Sequence, residues 1–204
     1  MTVQSRKGAW RRSATTRRAV LDAAREMFLS RGYEATSIED IVARSGVSVG
    51  SVYHQFGGKR EILLALSEEV FARHADVSAC AIRQAAESGE TDPLRLYLAG
   101  ARAFLMDTWL QRDIDRVSLL DDAPAGTEGL RRENHDKFVR GARNLRIGDP
   151  PLPDSTAQAM TAVLKAAAAQ LMDVKDDATA HAVINYFTGL IERWETADRP
   201  TLPG

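Results

Sequence analysis

Ser48-Val49-Gly50-Ser51-Val52-Tyr53-His54-Gln55-Phe56 brings together two serine hydroxyls, a phenol, an imidazole and a carboxamide without any formal charge. These groups donate and accept hydrogen bonds to neutral partners. The small residues Gly50 and Ser51 let a backbone approach another molecule closely, and free N–H groups at a helix start attract an anion. Nothing nearby suits covalent or acid–base chemistry. The chain has no nucleophile motif and no glycine loop placed after a strand, and its four histidines (His54, His74, His135, His181) are scattered. Asp121, Asp122, Glu133 and His135 lack the tight spacing of a metal site. No enzyme activity, cofactor or metal centre is expected.

The elements around this stretch are helical. Strand patterns are nearly absent, and apolar residues recur at helical spacing. From Thr16 to Arg31 the residues Val20, Ala23, Ala24, Met27 and Phe28 fall on one face, and Gly32 supplies a stop. Thr36-Ser37-Ile38-Glu39 reads as a capping box with Thr36 as the cap and Glu39 as its partner. A short helix follows to Gly46, Ser48 caps another to about Gln55, and a long helix starts at Lys59 after Gly57-Gly58. Two short helices joined around a glycine fit a helix-turn-helix, and equally an ordinary αα-hairpin. In the former, the second helix lies in the DNA major groove, which explains why it can be short.

Further along, Asp92-Pro93 is a helix start, and Leu94, Leu98, Ala101, Leu105 and Trp109 continue its apolar face. Residues 121–129 and 148–154 read as loops, with a basic helix at 130–146 between them and two more helices at 155–172 and 177–194. The fold class is all-α. Through Arg60 eleven Lys and Arg face five Asp and Glu, while the remainder holds sixteen against twenty-three. A basic front and an acidic back suit a polyanion-binding segment joined to something else. The lone Cys80 excludes an intramolecular disulfide and reads as a buried core thiol. With neither a signal-like apolar stretch nor a membrane-length run, a cytoplasmic protein is expected.

Residues 20–63 resemble the DNA-binding domain of the TetR family of bacterial transcriptional regulators. The pattern runs Val20-Leu21, Ala23-Ala24, Met27-Phe28, Gly32-Tyr33, Thr36-Ser37-Ile38, Ile41-Val42, Gly46-Val47-Ser48, Ser51-Val52-Tyr53, Phe56, Lys59 and Leu63. The resemblance implies four segments: a flexible basic N-terminal arm (1–15), a helix-turn-helix DNA-binding domain (16–60), a helical effector-binding and dimerisation domain (61–195) and a loose tail (196–204). It also implies a repressor that binds a palindromic double-stranded operator as a homodimer and is released by a small molecule. The alternative is a helical binding or adaptor protein without DNA function.

By the same resemblance Ser48, Val49, Gly50, Ser51, Tyr53, His54 and Gln55 face DNA, with Tyr53 and Lys59 on phosphates and Thr36 and Ser37 at the start of the supporting helix. His54-Gln55 departs from the family's more frequent aromatic-then-His pairing, so base preference does not carry over. Gln55 is suited to adenine and Val49 to a thymine methyl. The last two helices are implied to form the dimer interface, through Met160, Val163, Leu164, Phe187, Leu190 and Ile191, with Ala157, Ala159, Ala162, Ala166 and Ala169 allowing close approach. For the effector, Phe104, Trp109, Leu119, Leu120 and Phe138 are the apolar candidates, and Arg102, Asn134 and His135 the polar anchors.

Overall fold

The computed structural model describes residues 3–119, 128–144 and 153–196, all within an all-helical architecture. The described helices are α1 (Val3–Arg31), α2 (Ile38–Ser45), α3 (Val49–Phe56), α4 (Lys59–Glu87), α5 (Pro93–Leu110), α6 (Arg112–Leu119), α7 (Glu128–Asn144), α8 (Asp154–Leu171) and α9 (Asp177–Thr196). They form two compact units. One draws on the described residues within Met1–Val70 and Asp113–Thr127, the other on those within Phe71–Arg112 and Glu128–Gly204. The division falls inside α4, beyond the boundary expected at residue 60.

In the first unit, Val20, Leu21, Ala24 and Phe28 of α1 meet Ile38 and Ile41 of α2, Val52 and Phe56 of α3, and Ile62, Leu63 and Leu66 of α4. Burying these side chains holds α2 and α3, each too short to persist alone in water. Gly46 caps α2 in the left-handed region, with φ of 68°, and its N–H donates to the Val42 carbonyl. That conformation costs glycine no Cβ clash and turns the chain into α3. In the second unit α5 packs on α8 and α9, and α7 on α8, around Leu98, Leu105, Met160, Leu164, Leu171 and Ile191. Asp92 caps α5 as expected, accepting from the N–H groups of Leu94 (2.8 Å) and Arg95 (3.1 Å), with Pro93 in the first turn.

Several expectations are corrected. The backbone is already helical from Val3, where an arm through residue 15 was expected, so α1 starts well before Thr16. α6 escaped the sequence reading because neither glycine nor proline separates it from α5; only Gln111 intervenes. The loops at 121–129 and 148–154 lie outside the described residues except at their ends, where α7 begins at Glu128 and α8 at Asp154. The tail 197–204 also lies outside. Cys80 is half-buried rather than fully enclosed.

The capping box exists one residue later than expected. Ser37 is the N-cap, its Oγ accepting from the Asp40 N–H at 3.1 Å, while the Ser37 N–H donates to Asp40 Oδ2 at 2.9 Å. Thr36 is unavailable for this because its hydroxyl is directed to the carbonyl oxygens of Gly32 (2.7 Å) and Met27 (3.2 Å). The Ser37 backbone N–H and then the Ser37 hydroxyl hold the Asp40 carboxyl below its ordinary value of 3.8, with Arg31 adding to the effect. A depressed folded-state pKa gives stability that is present above the ordinary value and lost as pH falls through the folded one. Replacing Ser37 by Ala should cost about 1 kcal/mol. In thermal melts from about pH 6 down to about pH 2, Asp40→Asn should show a shallower acid loss than the parent protein. Superimposable pH profiles for the two would remove Asp40 from the capping role.

Candidate nucleic-acid interface

α3 is held by one face and presents the other. Val52 and Phe56 go into the core, while Ser48, Val49, Gly50, Tyr53 and His54 are exposed, Val49 to 43% and Tyr53 to 51%. The spacing from Val49 to Tyr53 and from Gly50 to His54 is one helical turn, which makes these four a single outward stripe. Ser48 caps the helix, its Oγ accepting from the Ser51 N–H at 3.3 Å and lying 2.9 Å from Ser51 Oγ. The N–H groups of Val49 and Gly50, in the first turn, have no acceptor within their own helix.

Gln55 is turned away from that stripe. Its Nε2 donates to the Ser13 carbonyl of α1 at 3.4 Å, and its Oε1 is enclosed. A carboxamide engaged with α1 is not presented for adenine, so the expected base contact finds no support here. Thr36 is 2% exposed and bonded inward, which removes its hydroxyl from an outer surface. Ser37 has its hydroxyl engaged with Asp40 at 2.8 Å.

Lys59 is the largest departure. Its Nζ donates to the carbonyl oxygens of Tyr33 (2.8 Å), Thr36 (2.9 Å) and Glu34 (3.4 Å) and stands 4.2 Å from the centre of the Tyr33 ring. The ammonium closes the α1–α2 connection from the start of α4. It is an internal clamp here, not a free phosphate ligand.

Charge is distributed accordingly. Arg18 pairs with Asp22 (2.8 Å) and Glu69 (3.3 Å), Arg31 with Asp40 (2.9 Å), Arg44 with Glu26 (2.6 Å) and Arg60 with Glu61 (3.1 Å). The hydrogen bond from Arg44 holds the Glu26 carboxyl below its ordinary range. The Arg17 guanidinium lies 4.8 Å from the Phe56 ring centre. With these arginines locally matched, the further cations of the basic front are, by sequence, Arg6, Lys7, Arg11 and Arg12.

The candidates in the second unit separate into inner and outer groups. Phe104 is buried, 5.1 Å from Phe138 and edge-on to His74 at 4.9 Å. Trp109 is buried too, but its indole N–H donates to Asp177 Oδ1 at 2.9 Å and Arg112 covers its ring at 3.9 Å. That pins the end of α5 to the start of α9 and leaves the ring no face for a ligand. Arg102 is exposed and donates to Asn185 Oδ1 at 2.7 Å, so it is no inner anchor. His135 is half-buried; burial, and next the Lys165 charge, pull its pKa down. Leu120 and the side chains of Leu119 and Asn134 lie outside the described residues.

Met160, Leu164 and Ile191, expected at a dimer interface, are buried in the unit's own core. Val163, Phe187 and Leu190 are half-buried. The outward faces of α8 and α9 carry instead Ala162, Ala166 and Ala169, and Ala182 with Tyr186, which is 60% exposed. Arg73, His74, Asp107 and Thr108 form a further polar group, to which the sequence pattern assigned no role. Their signal was present: His74 follows Val70, and Thr108 follows Phe104, by one turn on an inward face.

Lys59→Ala should lower the unfolding free energy by about 2 kcal/mol, the range for a charged donor removed from its acceptors. Chemical denaturation of the full chain checks this. An unchanged midpoint and slope would reduce Lys59 to a surface cation.

Residues 20–66 match the model for bacterial regulatory proteins of the tetR family. The HTH-type transcriptional repressor AcnR of Corynebacterium glutamicum is 37% identical over 62 residues, 30% of this chain and 33% of that repressor. The chain thus spans about a third of that curated relative. Two solved structures share the fold over most of their length. A putative TetR-family transcriptional regulator from Syntrophomonas wolfei superposes with a TM-score of 0.72 at 18% identity, over 92% of this chain and 98% of the other. The SmeT–triclosan complex gives 0.62 at 23% identity, over 86% and 90%. The family match falls on the helices that carry the outward α3 stripe, and the likeness of fold extends through the second unit: residues 20–66 form a domain of the tetR family of bacterial regulatory proteins.

Proposed function

We propose that this protein is a DNA-binding transcriptional regulator, a repressor that binds a palindromic operator as a homodimer in the cytoplasm and is released by a small molecule. The observation that carries this is the outward stripe Val49, Gly50, Tyr53 and His54 on the second helix of a helix-turn-helix. Such a helix reads base edges in the major groove with its N-terminal residues. Val49 is suited to a thymine methyl and Tyr53 to a phosphate or sugar. The family's regulators act without catalysis, so no enzymatic step is assigned.

The cations of residues 6–12 supply the electrostatic attraction, and affinity should fall steeply with salt as condensed counterions are released. The first unit forms the DNA-binding part and the second the effector and dimer part. A protein of similar fold, SmeT, has been solved in complex with triclosan, and a small molecule is the kind of effector we assign here. Release requires the effector to prefer the DNA-incompetent state; equal affinity for both shifts nothing. A hundredfold loss of DNA affinity corresponds to a coupling of about 2.7 kcal/mol.

The dimer surface we assign is the outward face of α8 and α9, where Ala162, Ala166 and Ala169 leave room for a second copy and Tyr186 supplies apolar area. A helical adaptor without DNA function is the competing assignment, and binding to the DNA upstream of the protein's own gene separates the two. Tyr53→Ala should weaken that binding at least tenfold, about 1.4 kcal/mol, while Gln55→Ala leaves preference among sites unchanged. Affinity that does not respond to salt would favour the adaptor. Ala166→Glu should give monomers by light scattering, because an unpaired charge at a desolvated interface is costly. A variant that stays dimeric would exclude this face.

A further inference from the structure

The core contacts of α1 begin at Val20, yet the helix runs back to Val3. Helix ends open at the least cost unless a contact at their side holds them. Two contacts ahead of that core tie α1 to the last turn of α3. Gln55 Nε2 donates to the Ser13 carbonyl at 3.4 Å, and the Arg17 guanidinium stands 4.8 Å from the centre of the Phe56 ring. Ser13 and Arg17 are one turn apart on α1, and Gln55 and Phe56 are adjacent on α3, so the two contacts form one seam.

The chemistry of the carboxamide fits this use. A backbone carbonyl only accepts, so the NH2 side of Gln55 is the side that can face Ser13, and a helical carbonyl keeps a second lone pair for it. Gln55 Oε1 is enclosed, with no partner among the described residues. The side chain is therefore committed to α1 at its donor end and has no acceptor end left at the surface. Immediately before it on α3 come Tyr53 and His54, both exposed. The seam and the outward stripe lie within one turn of each other.

The segment ahead of Ser13 carries, by sequence, Arg6, Lys7, Arg11 and Arg12. Along a helix, residue 6 stands about 10 Å from residue 13 at 1.5 Å per residue. That length is comparable with the major groove's width of about 12 Å. Cations on an unheld segment give up conformational freedom when they settle on phosphates, which weakens binding. A segment seated beforehand gives up less.

We propose that Gln55 is a positioning residue for DNA binding: through the Ser13 carbonyl it seats the segment of residues 6–12 against α3, so that its cations and the α3 stripe meet a duplex as one preformed surface. This rests on the DNA-binding role proposed above. It adds the residue that joins the phosphate-directed part of that surface to the part that reads bases.

Gln55→Met tests it, because methionine has a similar length and shape but no donor. Parent and variant are titrated by fluorescence anisotropy against two duplexes, the DNA upstream of the protein's own gene and a scrambled duplex of the same composition. At about 0.15 M salt the variant should bind both about tenfold more weakly, the scale of ordering one or two long side chains. The two losses should be equal, since phosphate contacts carry no sequence information. In a full-length chain with Arg6→Gln, Lys7→Gln, Arg11→Gln and Arg12→Gln, adding Gln55→Met should change affinity by less than about twofold. A general weakening of the fold would not give that non-additivity. Hydrogen exchange without DNA reads the seam itself. The backbone amides of residues 7–13 should exchange several-fold faster in Gln55→Met than in the parent. Gln55→Glu, which also lacks a donor at neutral pH, should do the same.

A loss confined to the upstream duplex would make Gln55 a base-reading residue and overturn the proposal. So would the same loss in the four-glutamine background, or an unchanged affinity or exchange rate in Gln55→Met. The regulator reading fails separately. A parent that binds neither duplex even at about 0.05 M salt removes that reading, whereas a parent that binds both, matched by its Gln55→Met variant, removes only this inference.

Discussion

The ammonium of Lys59 closes three backbone carbonyls, those of Tyr33, Glu34 and Thr36, from the first residue of α4. Everything in the first unit that could meet another molecule depends on this joint. The connection from α1 to α2 is short and turns through Gly32, so its carbonyls lack the helical partners they would have had in a continuous helix. A single cation with three donors satisfies them together and stacks on Tyr33, which itself packs on Phe28 of the core. α2 is thereby fixed at its start, and α3 between α2 and α4. The stripe of α3 is rigid because its own short helix does not have to supply the rigidity.

The same economy of contacts appears in the electrostatics. Arg18 and Arg31 of α1, Arg44 of α2 and Arg60 of α4 are each matched by a carboxylate within reach, and such exposed pairs contribute little to stability. Their consequence is that the cations left over in the basic front are, by sequence, those of residues 6–12. A polyanion would therefore be attracted mainly by the residues preceding the core. The neutral groups of α3 would supply discrimination.

In the second unit the polar side chains divide by depth. Arg102 and Asn185 bond to one another on the outside, and Trp109 with Asp177 pins two helices together. Thr108 and Ser78 are the hydroxyls enclosed without either kind of use.

Composition and period were enough to read an all-α chain, two short helices joined around a glycine and the caps at Gly46, Ser48 and Asp92, since each depends on a few neighbouring residues; the family resemblance made that pair a helix-turn-helix. The resemblance marked Ser48, Val49, Gly50, Ser51, Tyr53, His54 and Gln55 together, and of these Val49, Gly50, Tyr53 and His54 share one outward face because two adjacent positions and their repeats one turn later lie on one side of a helix. Tertiary packing decided the rest. Whether Gln55 faces outward or toward α1, whether Lys59 meets a phosphate or three carbonyls, and whether Met160, Leu164 and Ile191 serve an interface or a core all depend on which face of a helix its neighbours cover. Helical spacing defines that a face exists without stating what lies against it. The capping box moved by one residue for a related reason: Thr36 and Ser37 are equally good caps locally, and only the approach of the end of α1, offering the Met27 and Gly32 carbonyls, draws Thr36 inward and leaves the cap to Ser37.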